Sequence, residues 1–559
     1  MPAKKTTKSK GSRTGKEWTI MVYMAGDNDL SEDMITALKA MKAFGGSQYV
    51  NIVALYDSNY PPVPVTFYDF SKEFPPKAGR PQVPNLSAYA DVEIVRDILG
   101  LPPLPPPNPD LPDPFKFDPA KEFVPLKRFV SWILRQRKYK AKKYALILSG
   151  HSDSVIGKTI LRDDNPPNVL TLSKLAGVLE DCRKALPKNT HPSHKFDLIG
   201  FDGCLMGMLE GAYELKDIAD YMVASEGNIP DSGWDYTSVF SELARSSGKV
   251  DAKSLALSIA SHYKDFNFDY IPSGRSINIS AFKLDRVNTF ARILNRIAGE
   301  LYKLLDFDLK KQSGQHAVEE SILRERFVDV VLKSHYNSQT FMHNQAVDIM
   351  DFLYCMISEW YYLSEQAKAL YPNKLTAVFN KEFSRFFNNC ISLFSEYPAF
   401  VIESCFAGAE YQFSKGVSLF FPWSQMALNL LSSEYGSLKF DRQKRNWRKF
   451  FSKYVELTMR TPETKSFLEF VQGQKKAVAG QKLPPVPPSF LVQFAAAKDK
   501  TGREYIGREY IGREYIGRGG EFYEYFEQMR NYSHFRVIRR PPPPHNEVDL
   551  SGCNELPTI

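Results

Sequence analysis

The chain has 559 residues, 43% hydrophobic and 24% charged, an ordinary globular balance that is too long for one compact domain. Its net charge of +8 comes from Lys and Arg concentrated at the N-terminus and near the C-terminus, which argues for basic tails more than for a basic body. Six cysteines with no CxxC pair give no support to a disulfide framework or a metal finger, and suggest reduced thiols.

Residues 1–16 are rich in Lys, Ser, Thr and Gly and read as a disordered basic leader. They have the positive start of a signal peptide without an apolar segment after it, and no run of 18 apolar residues occurs in the chain. The expectation is a cytoplasmic protein with no membrane partner. Thr19 to Met24 predicts a buried strand that turns through Ala25-Gly26-Asp27-Asn28-Asp29 into an amphipathic helix. Ser31 reads as its cap, and Met34, Ile35, Leu38 and Met41 as its apolar side. Val50 to Tyr56 predicts the next buried strand. Strands alternating with helices of this length predict a parallel sheet covered on both faces.

Between Tyr60 and Pro119 the pattern breaks down around a proline-rich insert, Leu101 to Pro114, which reads as a surface loop. A helix resumes from Lys121 to Arg137, and Tyr144 to Ser149 is another short apolar strand, ending at Gly150-His151-Ser152. The segment Val155 to Asn168 carries Lys158 and Arg162 among turn formers and reads as exposed. Phe196 to Phe201 then repeats the strand pattern, breaks at Asp202-Gly203-Cys204, and continues as a helix through Leu205, Met208, Leu209 and Tyr213.

His151 and Cys204 each follow a strand. In an open α/β sheet, sites lie beyond the carboxyl ends of the strands, so these two side chains are expected to meet. A cysteine at a strand-to-helix junction also sits where a helix N-terminus lowers a thiol pKa. A thiolate that attacks a peptide carbonyl, with an imidazole to protonate the leaving amine, suffices for acyl transfer through a thioester. Cys204 lies 53 residues after His151, close to the roughly 50 of the caspase pattern. For Cys182, Cys355, Cys390, Cys405 and Cys553 the plain reading, inert packing, is preferred.

Further on, Tyr221 to Ser225 predicts a strand, Glu226 to Tyr236 a loop and Ile277 to Ala281 a further strand. Residues 285–455 read as a mainly helical C-terminal subdomain, broken by an apolar strand from Val417 to Phe421. Residues 456–559 read as a linker and a low-order basic tail containing GREYI repeats from Gly502 to Arg518. A five-residue period fits neither helix nor strand. The repeats are either a partner motif or a product of DNA slippage.

The stretches WTIMVYMAGDNDL (Trp18 to Leu30), VNIVALYD (Val50 to Asp57), YALILSGH (Tyr144 to His151), FDGCLMGMLE (Phe201 to Glu210) and VASEGNIPDSGWDY (Val223 to Tyr236) carry a resemblance. In this order they resemble the clostripain-like cysteine peptidases (family C11), relatives of caspases, gingipains and legumain. The resemblance implies a caspase/hemoglobinase-like α/β domain over 17–284 (with the insert at about 60–119), a mostly parallel sheet with helices on both faces. It implies a cysteine endopeptidase with Cys204 as nucleophile and His151 as general acid/base. The backbone N–H groups of Cys204 and Ser152 would hold the oxyanion, with Ser152 standing where the family usually has Gly. Asp202 would lie at the base of an S1 pocket for Arg or Lys at P1. Asp231 reads equally as a second pocket carboxylate or as a turn residue after Pro230. Glu226-Gly227 departs from the GluGlu common in the family. The resemblance further implies self-cleavage between the histidine and cysteine segments, where Lys158 and Arg162 are the expected sites of a zymogen's activation; the need to keep such an enzyme silent adds an upstream protease as an expected activator. Calcium is needed by some relatives; no EF-hand-like loop is present, and the sequence itself requires no cofactor. Two other readings are a catalytically silent scaffold and a nucleic-acid-binding protein using its Arg/Tyr-rich tail. The second is disfavoured because each repeat pairs its Arg with a Glu.

Overall fold

In the computed structural model, residues 16–458 are described except 45, 59–64, 73–84, 100–123, 154, 156–158, 165–169, 188–193, 307–314, 342–344, 371–373 and 423–424. Beyond 458 only residues 497–498 and 504–505 are described. The chain divides into two units. The first holds Met1–Phe307, Ser338–Tyr354 and Asn388–Val455; the second holds Asp308–Asn337, Cys355–Phe387 and Glu456–Ile559.

The first unit contains β1 (Lys16–Gly26), β2 (Val50–Ser58), β3 (Thr66–Asp69), β4 (Ala90–Asp91), β5 (Ala141–Ser149), β6 (Phe196–Asp202), β7 (Ala219–Ala224) and β8 (Ile277–Lys283). Four further strands follow: β9 (Thr340–Phe341), β10 (Ala346–Asp348), β11 (Val401–Ala407) and β12 (Ser418–Phe420). Nine of these form one sheet in the order β11-β8-β7-β6-β5-β1-β2-β3-β4. The five central strands run parallel, and antiparallel pairs flank them on both sides. The central strands are apolar along their length because both faces are covered. On one face, Ile20, Val22, Ile52, Ala54, Ile147 and Leu198 share a core with Met34, Leu38, Phe240 and Ile259, which come from helices Ser31–Lys42, Tyr236–Arg245 and Ala252–Phe266. The alternate residues, among them Met21, Val53, Leu146, Leu148 and Ile199, are buried on the other face. A second row of helices packs in succession: Val92–Leu99, Val124–Arg135, Leu172–Lys184, Leu209–Leu215 and Val287–Leu305. The chain is an α/β protein with a mostly parallel sheet.

From β1 the chain goes to β2 on one side and later returns to β5 on the other. The strand order therefore reverses between β1 and β5. A crevice opens at such a switch point, at the carboxyl ends of the strands.

Four features differ from the sequence reading. The edge strands β3 and β4 come from inside the 60–119 insert, where a four-residue strand between prolines leaves little periodic signal. Phe67 secures β3 by packing its ring edge-on to Phe129 and Trp132. Strand β11 arises within the region read as helical and pairs antiparallel with β8, extending the sheet. Leu30, not Ser31, occupies the N-cap of the first helix, and the Ser31 hydroxyl instead meets the Tyr56 hydroxyl at 2.7 Å. In the segment read as exposed, Val155, Ile160 and Leu161 are buried. Among the described residues, no helix is long and apolar enough to cross a membrane.

In the second unit, Phe327, Phe383 and Phe386 pack around Trp360. Within the GREYI repeats, Glu504–Tyr505 pairs antiparallel with Ala497–Lys498. The proline-rich insert, the linker and the other repeat residues lie outside the described residues.

Candidate active site

Strands β5 and β6 are neighbours, with Ser149 opposite Asp202, so the residues that leave them emerge side by side. The Gly150 N–H donates to the Asp202 carbonyl at 3.2 Å. A Cβ at Gly203 would lie 2.6 Å from the Gly150 carbonyl oxygen, an approach only glycine permits. The two strand ends are thereby pressed together just before His151 and Cys204. Both side chains line one cleft, together with Leu30, Met34, Asp202 and Ile229.

The helix after β6 begins only at Leu209, so Cys204 sits in a turn and not at a helix N-terminus. Leu205, next to it, is held at φ +62°, a strained value for a branched side chain. Burial pushes the Cys204 thiol above its ordinary pKa, and Asp153, Asp202 and Asp231 add to that. The opposing influence is the Ile229 N–H, 3.3 Å from Sγ. The direction is opposite to the one expected from a strand-to-helix junction. A proton acceptor is therefore required to generate the thiolate.

His151 lines the same cleft. Its Nε2 donates to Asp29 Oδ1 at 2.7 Å, a contact that sequence reasoning did not find. That hydrogen bond, with the charges of His151 and Arg162 behind it, holds the Asp29 carboxyl below its usual range. Ser152 is buried and forms an antiparallel bridge with Ile160.

Asp202 is buried on the wall of the cleft. Its Oδ2 accepts from the Tyr236 hydroxyl at 2.7 Å and the Ser149 hydroxyl at 3.4 Å. Among the described residues its buried Oδ1 has no hydrogen-bond partner. Desolvation raises the carboxyl to about 6, offset in part by Tyr236, Ser149 and the Trp234 backbone. A Cβ at Gly233 would lie 2.9 Å from either carboxylate oxygen, so a glycine there keeps the approach open. Asp231 also borders the cleft, but its side chain is 61% exposed and stands 3.9 Å from the Arg275 guanidinium.

The remaining sequence candidates fall around this centre. Arg162 is not presented as a loose loop residue: its guanidinium reaches Asp29 at 2.8 Å and Asp164 at 3.0 Å. Lys158 lies outside the described residues. The Glu226-Gly227 departure has a steric cause, since a Cβ at Gly227 would lie 2.3 Å from Tyr411 Cζ. Glu226 accepts from Ser414 Oγ at 2.5 Å and the Gly416 N–H at 2.8 Å, so it braces the loop from behind. Among the described residues, no group of three or more His, Cys, Asp or Glu is placed to hold a metal ion.

The family model for the clostripain family, peptidase family C11, matches residues 118–461. The chain belongs to the clostripain family. It is similar to clostripain from Hathewaya histolytica, 26% identical over 291 residues, which cover 47% of this chain and 48% of that protein. The chain thus spans about half the length of the curated relative it matches. Among solved structures it is similar to a secreted C11 cysteine protease from Bacteroides thetaiotaomicron in complex with an irreversible peptide inhibitor. That likeness is 16% identical with a TM-score of 0.44, covering 77% of this chain and 99% of that one. An inactive zymogen C11 protease from Parabacteroides distasonis gives 16% identity and a TM-score of 0.43, covering 77% and 98%. Likenesses this loose carry no argument, and the architecture stands on the sheet described above.

Proposed function

We propose that this protein of the clostripain family is a cysteine endopeptidase that cuts polypeptides after Arg, and secondarily after Lys. The observation that carries the reading is the shared cleft. It brings His151 and Cys204 together at the paired ends of β5 and β6, with a buried and half-unsatisfied carboxylate, Asp202, beside them.

The chemistry follows from these groups. His151 takes the Cys204 proton as Sγ attacks the scissile carbonyl carbon, forming the C–S bond. Backbone N–H groups of Cys204 and Ser152 hold the developing oxyanion. The imidazolium returns the proton to the leaving amine as the C–N bond breaks, leaving a thioester that water hydrolyses. A guanidinium at P1 would satisfy Asp202 Oδ1 with a charge-assisted hydrogen bond, and an ammonium would do so with less geometric complementarity. Asp231, at the rim, would add long-range attraction that is screened by salt. The dyad chemistry itself calls on no cofactor.

A peptidase of this specificity needs restraint, and we propose that it is made as a zymogen. Of the two candidate residues in the segment that follows His151, Lys158 and Arg162, Lys158 is the better site for cleavage by the enzyme itself or by an upstream protease. Arg162 is held by ion pairs and by its own backbone hydrogen bonds. The test is hydrolysis of fluorogenic peptides with Arg, Lys, Asp or Leu at P1, by wild type and Cys204→Ala, before and after trace trypsin, with fragment masses recorded. Arg-selective turnover lost in the mutant is expected. Silence of wild type under both conditions would sink the reading.

A further inference from the structure

The turn after β1 and the segment after His151 are fastened to each other by backbone and side chain. Asn28 Nδ2 donates to the Ala25 carbonyl at 2.9 Å and to the Arg162 carbonyl at 2.8 Å. The Arg162 N–H donates to the His151 carbonyl at 3.2 Å, and the Asp164 N–H to the Asp27 carbonyl at 2.9 Å. Leu161 is held at φ +58°, which a bulky residue adopts only where its surroundings over-determine it. Within this frame one oxygen, Asp29 Oδ1, accepts both from His151 Nε2 at 2.7 Å and from Arg162 Nη2 at 2.8 Å.

Two chemical consequences follow. A carboxylate only accepts hydrogen bonds, so the proton of the neutral imidazole lies on Nε2, and Nδ1 keeps the lone pair that can receive the thiol proton. Once that proton has moved, the Asp29 charge stabilises the imidazolium. This matters because every other carboxylate near the nucleophile (Asp153, Asp202 and Asp231) opposes the thiolate. Asp33, on the neighbouring helix, lines the same cleft as His151, and burial and then the charge of Asp231 raise its carboxyl, with Glu32 and Asp29 adding to that. The basic group on Asp29 besides His151 is Arg162.

We propose that Asp29 is a positioning residue for His151, fixing its tautomer and orientation, and that Arg162 is the clamp that keeps Asp29 in place. The inference rests on the peptidase reading and deepens it, adding a third and a fourth residue to the dyad. It also gives Arg162 a role in the working site, so cleavage after Arg162 would dismantle the clamp. Because the Asp29 side chain is 71% exposed, its influence is partly screened, and the effect is smaller than for a buried triad carboxylate.

The test compares wild type, Asp29→Asn, Asp29→Ala, Arg162→Lys and Arg162→Gln, each first checked for an unchanged melting temperature. Two quantities are measured: kcat and KM on an Arg substrate, and the pH dependence of Cys204 alkylation by iodoacetamide. For Asp29→Ala and Asp29→Asn we expect kcat to fall about 10- to 100-fold at constant KM. The alkylation rate near neutral pH should fall with it, and the alkylation profile should move to higher pH. Arg162→Gln should lose a few-fold in kcat, with Arg162→Lys between it and wild type. Unchanged kcat and an unshifted alkylation profile in both Asp29 variants would overturn the proposal. Failure of the peptidase reading is distinguishable, since wild type itself would then show no turnover that depends on Cys204.

Discussion

On the proposed reading, Asp202 is a liability in the free protein that a cationic substrate relieves. Burial raises its carboxyl to about 6, and Oδ1 finds no hydrogen-bond donor among the described residues. A cationic P1 side chain would supply both the missing hydrogen bond and the missing charge. The sign of the pH effect follows. Below about 6 the group is protonated and the attraction for Arg is lost, whereas above it the carboxylate is available. We therefore expect KM for an Arg peptide to rise as pH falls from 7 to 5, measured by steady-state kinetics. Asp202→Asn should start from a KM raised on the order of 10-fold or more and should lack this pH component. Equal pH dependence in the two proteins would refute the assignment.

At the scale of elements, the turn that carries Cys204 is held by what packs behind it. The Leu205 N–H donates to the Gly227 carbonyl at 3.0 Å, and the Gly207 N–H to the Ser225 carbonyl at 2.6 Å. On the other side the Ser418 N–H of β12 donates to the Gly207 carbonyl at 3.1 Å. The Asn228 N–H donates to the Tyr411 hydroxyl, and the Tyr411 ring tilts against Phe341, 5.4 Å away between centroids. Gly227 is thus the contact point between the loop that carries Ile229 and a buried aromatic pair. Gly227→Ala should cost about 1–3 kcal/mol by overpacking and should slow Cys204 alkylation. Tyr411→Leu in the same chain should recover part of the stability. Urea unfolding midpoints and alkylation rates would check both statements, and an undisturbed Gly227→Ala protein would contradict them.

On the scale of the whole molecule, buried carboxyls dominate the response to pH. Asp57 is raised to about 8, Glu210 and Asp348 to about 7 and Asp202 to about 6, in each case mainly by desolvation. Glu226 is raised as well, by burial and then by the neighbouring Asp348. In the unfolded chain such groups titrate near 4. Between roughly pH 4 and 8 the folded state therefore holds more protons than the unfolded state, so stability falls as pH rises through that window. The lowered carboxyls, Asp29, Glu180, Asp181, Glu242 and Asp251, act in the opposite sense, but only under more acid conditions. Melting by circular dichroism should give a midpoint several degrees higher at pH 5.5 than at pH 8.5. A midpoint that rises with pH would show that these carboxyls are ionised at little cost.

The parallel core of the sheet was legible because β1, β2, β5 and β6 are each a short apolar run, and such runs report burial locally. For the same reason His151 and Cys204 could be singled out as candidates, since strand ends in an α/β sheet converge on one edge, whereas Asp202 was a candidate through the family resemblance alone. Three features were not legible. The edge strands β3, β4 and β11 are short or irregular, and their partners come from distant segments. The direction of the Cys204 shift depends mainly on burial and then on Asp153 and Asp231, brought in from other segments, together with Asp202 two positions upstream, and no local motif encodes that burial. Asp29 meets His151 across 122 positions of sequence, and only the placement of β1 beside β5 brings them together. Sequence alone determined which residues could carry the chemistry, because residue type and strand periodicity are local properties. The tertiary structure decided the direction of the Cys204 and Asp202 shifts and the partners these groups meet, because desolvation and Coulomb interactions depend on distance in space and not on distance along the chain.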